Sequence, residues 1–74
     1  MAYDMKYEIK QRFGILSKNK SGWKKELTLT SWNNNPAKLE IRDWNEDYTK
    51  CGKGLTLTDE EAVTLKALLN DLNI

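Results

Sequence analysis

The 74-residue chain contains no histidine. That excludes imidazole acid–base chemistry, Ser-His-Asp triads and most zinc sites. Its single cysteine, Cys51, rules out an internal disulfide and fits a reducing compartment. No apolar run approaches the roughly 18 residues of a membrane span. The opening Met1-Ala2-Tyr3-Asp4-Met5-Lys6 lacks the apolar stretch of a signal peptide. The expectation is a cytoplasmic protein, the nucleoid included, with no membrane partner. Net charge is also scarce: 12 Lys and Arg against 11 Asp and Glu leave +1. Residues 1–74 are read as one domain. A chain of this length buries only about 60% of its unfolded surface, so a partner subunit is a plausible source of further burial.

The small net charge hides an asymmetry. Lys10, Arg12, Lys18, Lys20, Lys24 and Lys25 fall in a stretch without acids, whereas Asp59, Glu60, Glu61 and Asp71 face Lys66 alone near the C-terminus. Period-two patterning predicts strands at about 7–16, 23–32, 38–44 and 54–57. They are separated by the polar turn 17–22, by Asn33-Asn34-Asn35-Pro36 and by the polar loop 45–50. Thr58-Asp59-Glu60-Glu61 is a capping box that opens a helix at about 59–72. Its Ala62, Leu65, Leu68, Leu69 and Leu72 form one apolar stripe, expected to cover the sheet. Val63, Ala67 and Ile74 form a second stripe, read as a dimer contact or as scattered exposed residues. The expected fold is α+β: a four-stranded antiparallel sheet followed by one C-terminal helix, in the order β-β-β-β-α.

One helix covers one face of such a sheet, and the other face is expected to be open. Alternation places Leu27, Leu29, Leu39 and Ile41 inward. It places Lys10, Arg12, Lys24, Thr28, Thr30, Trp32, Lys38, Arg42 and Trp44 on the open face. Two indoles among five cations suit single-stranded nucleic acid, in which phosphates meet cations and unpaired bases stack on aromatic planes. The bland alternative is that Trp32 and Trp44 close the ends of a small core. Trp23, on the parity of Leu27 and Leu29, reads as mainly structural or at the rim, with Lys24 and Lys25 supplying charge beside it.

Lys50-Cys51-Gly52-Lys53-Gly54 reads either as an anion nest or as a bulge leading into the last strand. It is not a Walker loop, since no Ser or Thr follows the lysine. Asp43, Glu46 and Asp47 could hold a hard cation, but solvated carboxylates are the default in a polar loop. No nucleophile–base pair is visible, and neither catalysis, a cofactor nor a metal is expected.

These residues resemble a known family. Leu39-Glu40-Ile41-Arg42-Asp43-Trp44, followed by Lys50-Cys51-Gly52-Lys53-Gly54-Leu55-Thr56-Leu57 and an acidic helix start, is similar to the transcriptional coactivator family called positive cofactor four. Gly22-Trp23-Lys24-Lys25-Glu26-Leu27 with Ser31-Trp32-Asn33 resembles its short bacterial YdbC-type branch. The resemblance implies a curved antiparallel sheet, a homodimer formed through the helix, and binding of single-stranded DNA with little sequence preference. By position it assigns Arg42 and Trp44 as a binding arginine and a stacking aromatic, Trp32 as a second aromatic, and Lys50 and Lys53 as basic contacts. Lys10, Arg12, Lys24 and Lys38 rest on alternation alone. The Ser- and acid-rich regulatory tail of eukaryotic members has no counterpart before this domain, so control through such a tail is not expected.

The expected function is therefore single-stranded DNA binding in transcription, replication, repair or DNA uptake. The alternatives are an RNA-binding module, a protein-interaction domain that uses the open face or a free strand edge, and, more remotely, a small metal-dependent nuclease.

Overall fold

The patterning resolves, in a computed structural model that describes residues 6–74, into four strands and one helix. They are β1 (Tyr7–Lys18), β2 (Lys24–Trp32), β3 (Lys38–Trp44), β4 (Cys51–Leu57) and α1 (Asp59–Asp71). The first five residues, which the expected domain and the reading of the N-terminus include, lie outside the described residues. The strands pair in the order β1-β2-β3-β4, each antiparallel to the next, so the expected β-β-β-β-α architecture is the observed one. The turns are set by residues that tolerate left-handed backbone: Gly22 (φ 91°) between β1 and β2, and Asn33 and Asn34 (φ 53° and 64°) after β2. The capping box forms as written. Thr58 Oγ1 accepts from the Glu61 N–H at 3.1 Å, and Glu61 Oε1 accepts from the Thr58 N–H at 2.8 Å.

Strict alternation fails in β1. Its register against β2 slips between Ile9 and Gln11, between Arg12 and Gly14, and between Ile15 and Ser17. Each slip is a bulge that adds a residue, bends the strand and raises its twist. As a result Tyr7, Ile9, Arg12, Ile15 and Lys18 lie opposite Trp32, Thr30, Thr28, Glu26 and Lys24 and share their face. Arg12 stays where alternation placed it. Lys10 does not: it occupies a bulge and pairs with Glu8 at 3.1 Å, both side chains well exposed.

The bend decides which face is buried. Trp44 pairs with Lys24 at the start of β2, and Trp32 ends β2. In a flat sheet these two residues would stand about 25 Å apart. Their ring centroids are instead 6.3 Å apart, with planes 10° from parallel. The sheet is arched along its strands until its two ends meet, and the indoles close the arch. Beneath them Thr28, Thr30, Glu26 and Glu40 are all 2% exposed or less, and Trp44 has no exposed surface.

This corrects two expectations. The face read as open is the buried interior of the chain, and Trp44 is not an exposed side chain. The leucine face, by contrast, is only half buried. Among the described residues no side chain of α1 is buried; Ala62 and Leu65 come nearest, while Leu68, Leu69, Leu72 and Val63 are exposed. A cavity of about 350 Å³ remains between the helix and Leu27, Leu39, Ile41 and Leu57. The helix therefore stands off the sheet instead of covering it.

Removing the indole that closes the arch should unfold the chain. Trp44→Ala is expected to cost about 3–5 kcal/mol in urea unfolding, the range for a large buried aromatic. A cost below about 1 kcal/mol would show that the arch does not rest on this residue.

Candidate nucleic-acid interface

Two hubs of side chains form the rim of the arch. The first is built on Glu40, in the middle of β3. Its carboxylate accepts the Trp32 indole N–H at 3.1–3.2 Å, and it accepts Arg42 Nε at 3.1 Å and Nη2 at 3.0 Å. Glu40 is almost wholly buried, whereas the Arg42 side chain keeps 19% of its surface exposed. A buried carboxylate is tolerable only when its lone pairs are met in this way. The hub lays the Arg42 guanidinium over the Trp32 ring, with Cζ 4.8 Å from its centroid. Both residues were expected on one face; the carboxylate that joins them was read only as part of a strand pattern.

Tyr48 holds the second hub, and it was missed. It sits at φ 63° in the β3–β4 loop, an uncommon conformation for a bulky residue. Its hydroxyl donates to Glu26 Oε1 at 2.7 Å, and its ring lies 5.9 Å from Trp44. Two cations lie over that ring: Lys24 Nζ at 3.9 Å and Arg12 Cζ at 4.8 Å from the centroid. The Tyr7 hydroxyl donates to the Tyr48 carbonyl, and the Tyr7 ring is 5.2 Å from Trp32 and 5.3 Å from Trp44. The available signal for Tyr48 was one aromatic in an otherwise polar loop. Tyr7 was hidden by the bulges, which alternation cannot see.

The loop is braced from behind. Asp47 Oδ1 accepts the Thr49 hydroxyl at 2.6 Å and the Thr49 N–H at 3.2 Å. These bonds, the hydroxyl's first, hold the Asp47 carboxyl below its usual range. The support they give is therefore present above the ordinary aspartate pKa and fades as pH falls through the lowered one. Asn45 Oδ1 accepts the Lys50 N–H at 2.9 Å, closing the loop just before β4.

The remaining candidates are less closely gathered. Lys38 is exposed at the start of β3, where it lines a cavity of about 530 Å³ with Trp32, Thr30, Asn35, Glu40 and Thr56. Lys50 is exposed beside the Tyr48 loop. Lys53 is exposed within β4, where it and Gly52 together oppose Asp43 between the pairs Arg42–Gly54 and Trp44–Cys51. The Gly-Lys-Gly stretch is thus a bulge in a strand. Lys10, tied to Glu8, borders the rim, where it lines a cavity of about 470 Å³ with Ile9, Gln11, Arg12 and Tyr48. Cys51 is exposed, and among the described residues no group of three or more Asp, Glu or Cys side chains converges as a metal site. Among those residues one buried side-chain polar atom lacks a partner, the Trp44 indole nitrogen.

The family profile described as Transcriptional Coactivator p15 (PC4) matches residues 18–68, which take in β2, β3, β4 and most of α1. An uncharacterized protein of Treponema pallidum (strain Nichols) is 45% identical over 71 residues, covering 96% of this chain and 84% of its own length.

Tyr48→Phe should separate the hydroxyl from the ring. It leaves Glu26 Oε1 without its donor and is expected to cost about 1–3 kcal/mol in urea unfolding. Unchanged stability would mean that the phenol–carboxylate bond does not hold the loop.

Proposed function

Since the chain belongs to the PC4 family of transcriptional coactivators, a family of non-enzymatic nucleic-acid-binding proteins, we propose that it binds single-stranded DNA along the rim of the arch. The carrying observation is that Arg42 lies over Trp32, and Lys24 and Arg12 over Tyr48, so that cations and aromatic rings are layered together on one rim. A single strand presents both partners such a surface needs. Its phosphates draw the cations, and its unpaired bases stack on the outer side of the Arg42–Trp32 and Arg12–Tyr48 pairs, where a guanidinium plane serves as a ring does, each stack being worth about 1–3 kcal/mol. A duplex hides its base planes and gains only the charge term. Trp44, without an exposed face, contributes as the wall behind Trp32. Lys38, Lys50 and Lys53 extend the phosphate track, and Lys10 lies at its margin.

The chain acts as a homodimer in this reading. Leu68, Leu69 and Leu72 are about half exposed, Val63 is more so, and Ile74 is fully exposed. Together with the unfilled cavity under α1, that is too much apolar surface for a stable lone domain of this size. A second copy supplies the matching helix. The interface centres on Leu68 and Leu72, which flank the side of α1 nearest the sheet, with Val63, Ala67 and Ile74 at its edge.

Titration of tryptophan emission with a thymine oligonucleotide, its RNA counterpart and a duplex tests the binding. The single strands should quench, with affinity falling by a log–log salt slope of about −0.7 per phosphate neutralised. Lys38→Gln should reduce that slope by about 0.7 without unfolding the chain. Equal affinity for duplex and single strand would remove stacking from the account, and a clear preference for the RNA strand would change the substrate. The native mass should be twice 8.6 kDa, and Leu68→Glu should halve it. A monomeric wild type at micromolar concentration would remove the dimer.

A further inference from the structure

We propose that Gly54 is a positioning residue: the space left by its missing side chain is the seat of the Arg42 guanidinium, and it fixes how that cation meets a nucleic-acid strand. The proposal rests on the binding reading above and deepens it. Arg42 and Gly54 are cross-strand partners in the β3–β4 ladder. A Cβ at position 54 would lie 2.5 Å from Arg42 Cζ, 2.7 Å from Nε and 2.9 Å from Nη1, inside contact distance of every one. The guanidinium therefore lies across bare backbone, with Nη1 donating to the Gly52 carbonyl at 3.0 Å.

Nothing else calls for glycine at this position. Among the described glycines only Gly22 has a positive φ, so the backbone at 54 would accept an L side chain. Gly14 meets nothing within 4 Å, and at Gly52 an added Cβ would make only ordinary contacts, from 3.4 Å outward. A glycine inside a strand weakens it and commonly marks a close approach by another group. Here that group is a charged side chain already held on two other sides, by the Glu40 carboxylate and the Trp32 ring.

The seat has a chemical consequence. A guanidinium carries five N–H donors. In this pose Nε and one hydrogen on each Nη are engaged. One hydrogen on each Nη is left, a two-pronged donor suited to a phosphate. The three nearest atoms that a methyl group at 54 would meet all belong to the flexible end of Arg42. The guanidinium would swing away and the strand would stay intact, so the fold and the pose of Arg42 can be separated.

Gly54→Ala is the test, with Gly14→Ala as the control at an unobstructed glycine. Gly54→Ala should keep the wild-type circular dichroism but melt at a lower temperature, because the buried Glu40 carboxylate loses Arg42 as its partner. It should lower affinity for a thymine oligonucleotide by about tenfold, the value of a hydrogen bond to a charged group. It should also flatten the salt slope by about 0.7, one phosphate contact. In an Arg42→Ala background the same change should cost nothing further, because no guanidinium remains to be displaced. Wild-type affinity in Gly54→Ala, or an equal loss in both backgrounds, overturns the proposal. If Gly54→Ala fails to fold, the double variant compared with Arg42→Ala alone decides: equal stability of the two supports the seat, and a further loss in the double variant overturns it. A readout without DNA separates this inference from the binding reading. The NMR resonance of Arg42 Nε–H should move in Gly54→Ala and not in Gly14→Ala. An unmoved resonance overturns the seat even if the wild type binds DNA, and a moved one keeps it even if the wild type does not.

Discussion

The contact between the Trp32 and Trp44 rings is the constraint on which the rest of the molecule depends. Two residues at opposite ends of the β2–β3 ribbon touch only if the ribbon is strongly bent, and the bend is what buries Thr28, Thr30, Glu26 and Glu40. The bulges in β1 supply the local means, since each adds a residue and turns the strand further. Once bent, the sheet encloses a polar interior in which hydroxyls and carboxylates must find partners. They do so with one another and with the rim: the Thr28 and Thr30 hydroxyls are 2.8 Å apart, Glu26 meets Tyr48, and Glu40 meets Trp32 and Arg42.

That interior explains why the rim is ordered before any ligand arrives. Arginine and lysine side chains on an open surface lose considerable rotamer freedom when a ligand fixes them. Here the Arg42 guanidinium is already held by a buried carboxylate, and Lys24 by the Glu46 carbonyl at 3.1 Å and the Tyr48 ring. Glu40 offsets the charge of Arg42, so the net positive field of the rim comes from Lys24, Arg12 and the exposed lysines. A surface of this kind presents positive charge from a chain whose net charge is only +1, which is why the overall count of charges said so little about a partner.

Most of the architecture was legible from short-range rules. Period-two patterning located β2 and β3 closely, and Thr58 with Glu61 marked the start of the helix. What was not legible depended on curvature. Alternation assigns residues to faces but does not say which face bends inward, so the Thr28–Trp44 face was taken for the wet one and the leucine face for the core. The same limit hid Tyr7, placed by bulges, and Tyr48, whose role comes from a loop folding back over the sheet. β4 begins at Cys51 and not at the expected Gly54, because the stretch expected as an anion nest or a bulge leading into the strand pairs with β3 as a bulged part of it. The glycines belong to a bulged strand, and one of them makes room for a side chain on its neighbour.

The two faces of the sheet divide the work without competing. The arch and its cations occupy one face, while the apolar cavity and the helix occupy the other. A second copy docked through α1 would leave both arches open, so self-association and strand binding need not exclude each other. Nor are they independent. The helix-side face of β3 and β4 is the back of the same ribbon whose front carries Arg42, and a half-filled cavity behind a bent sheet leaves that bend poorly supported. Filling the cavity from a partner would stiffen the arch from outside, as the paired indoles do from within. Dimerisation would then raise affinity for a single strand by more than the joining of two sites, because each rim would lose less freedom on binding.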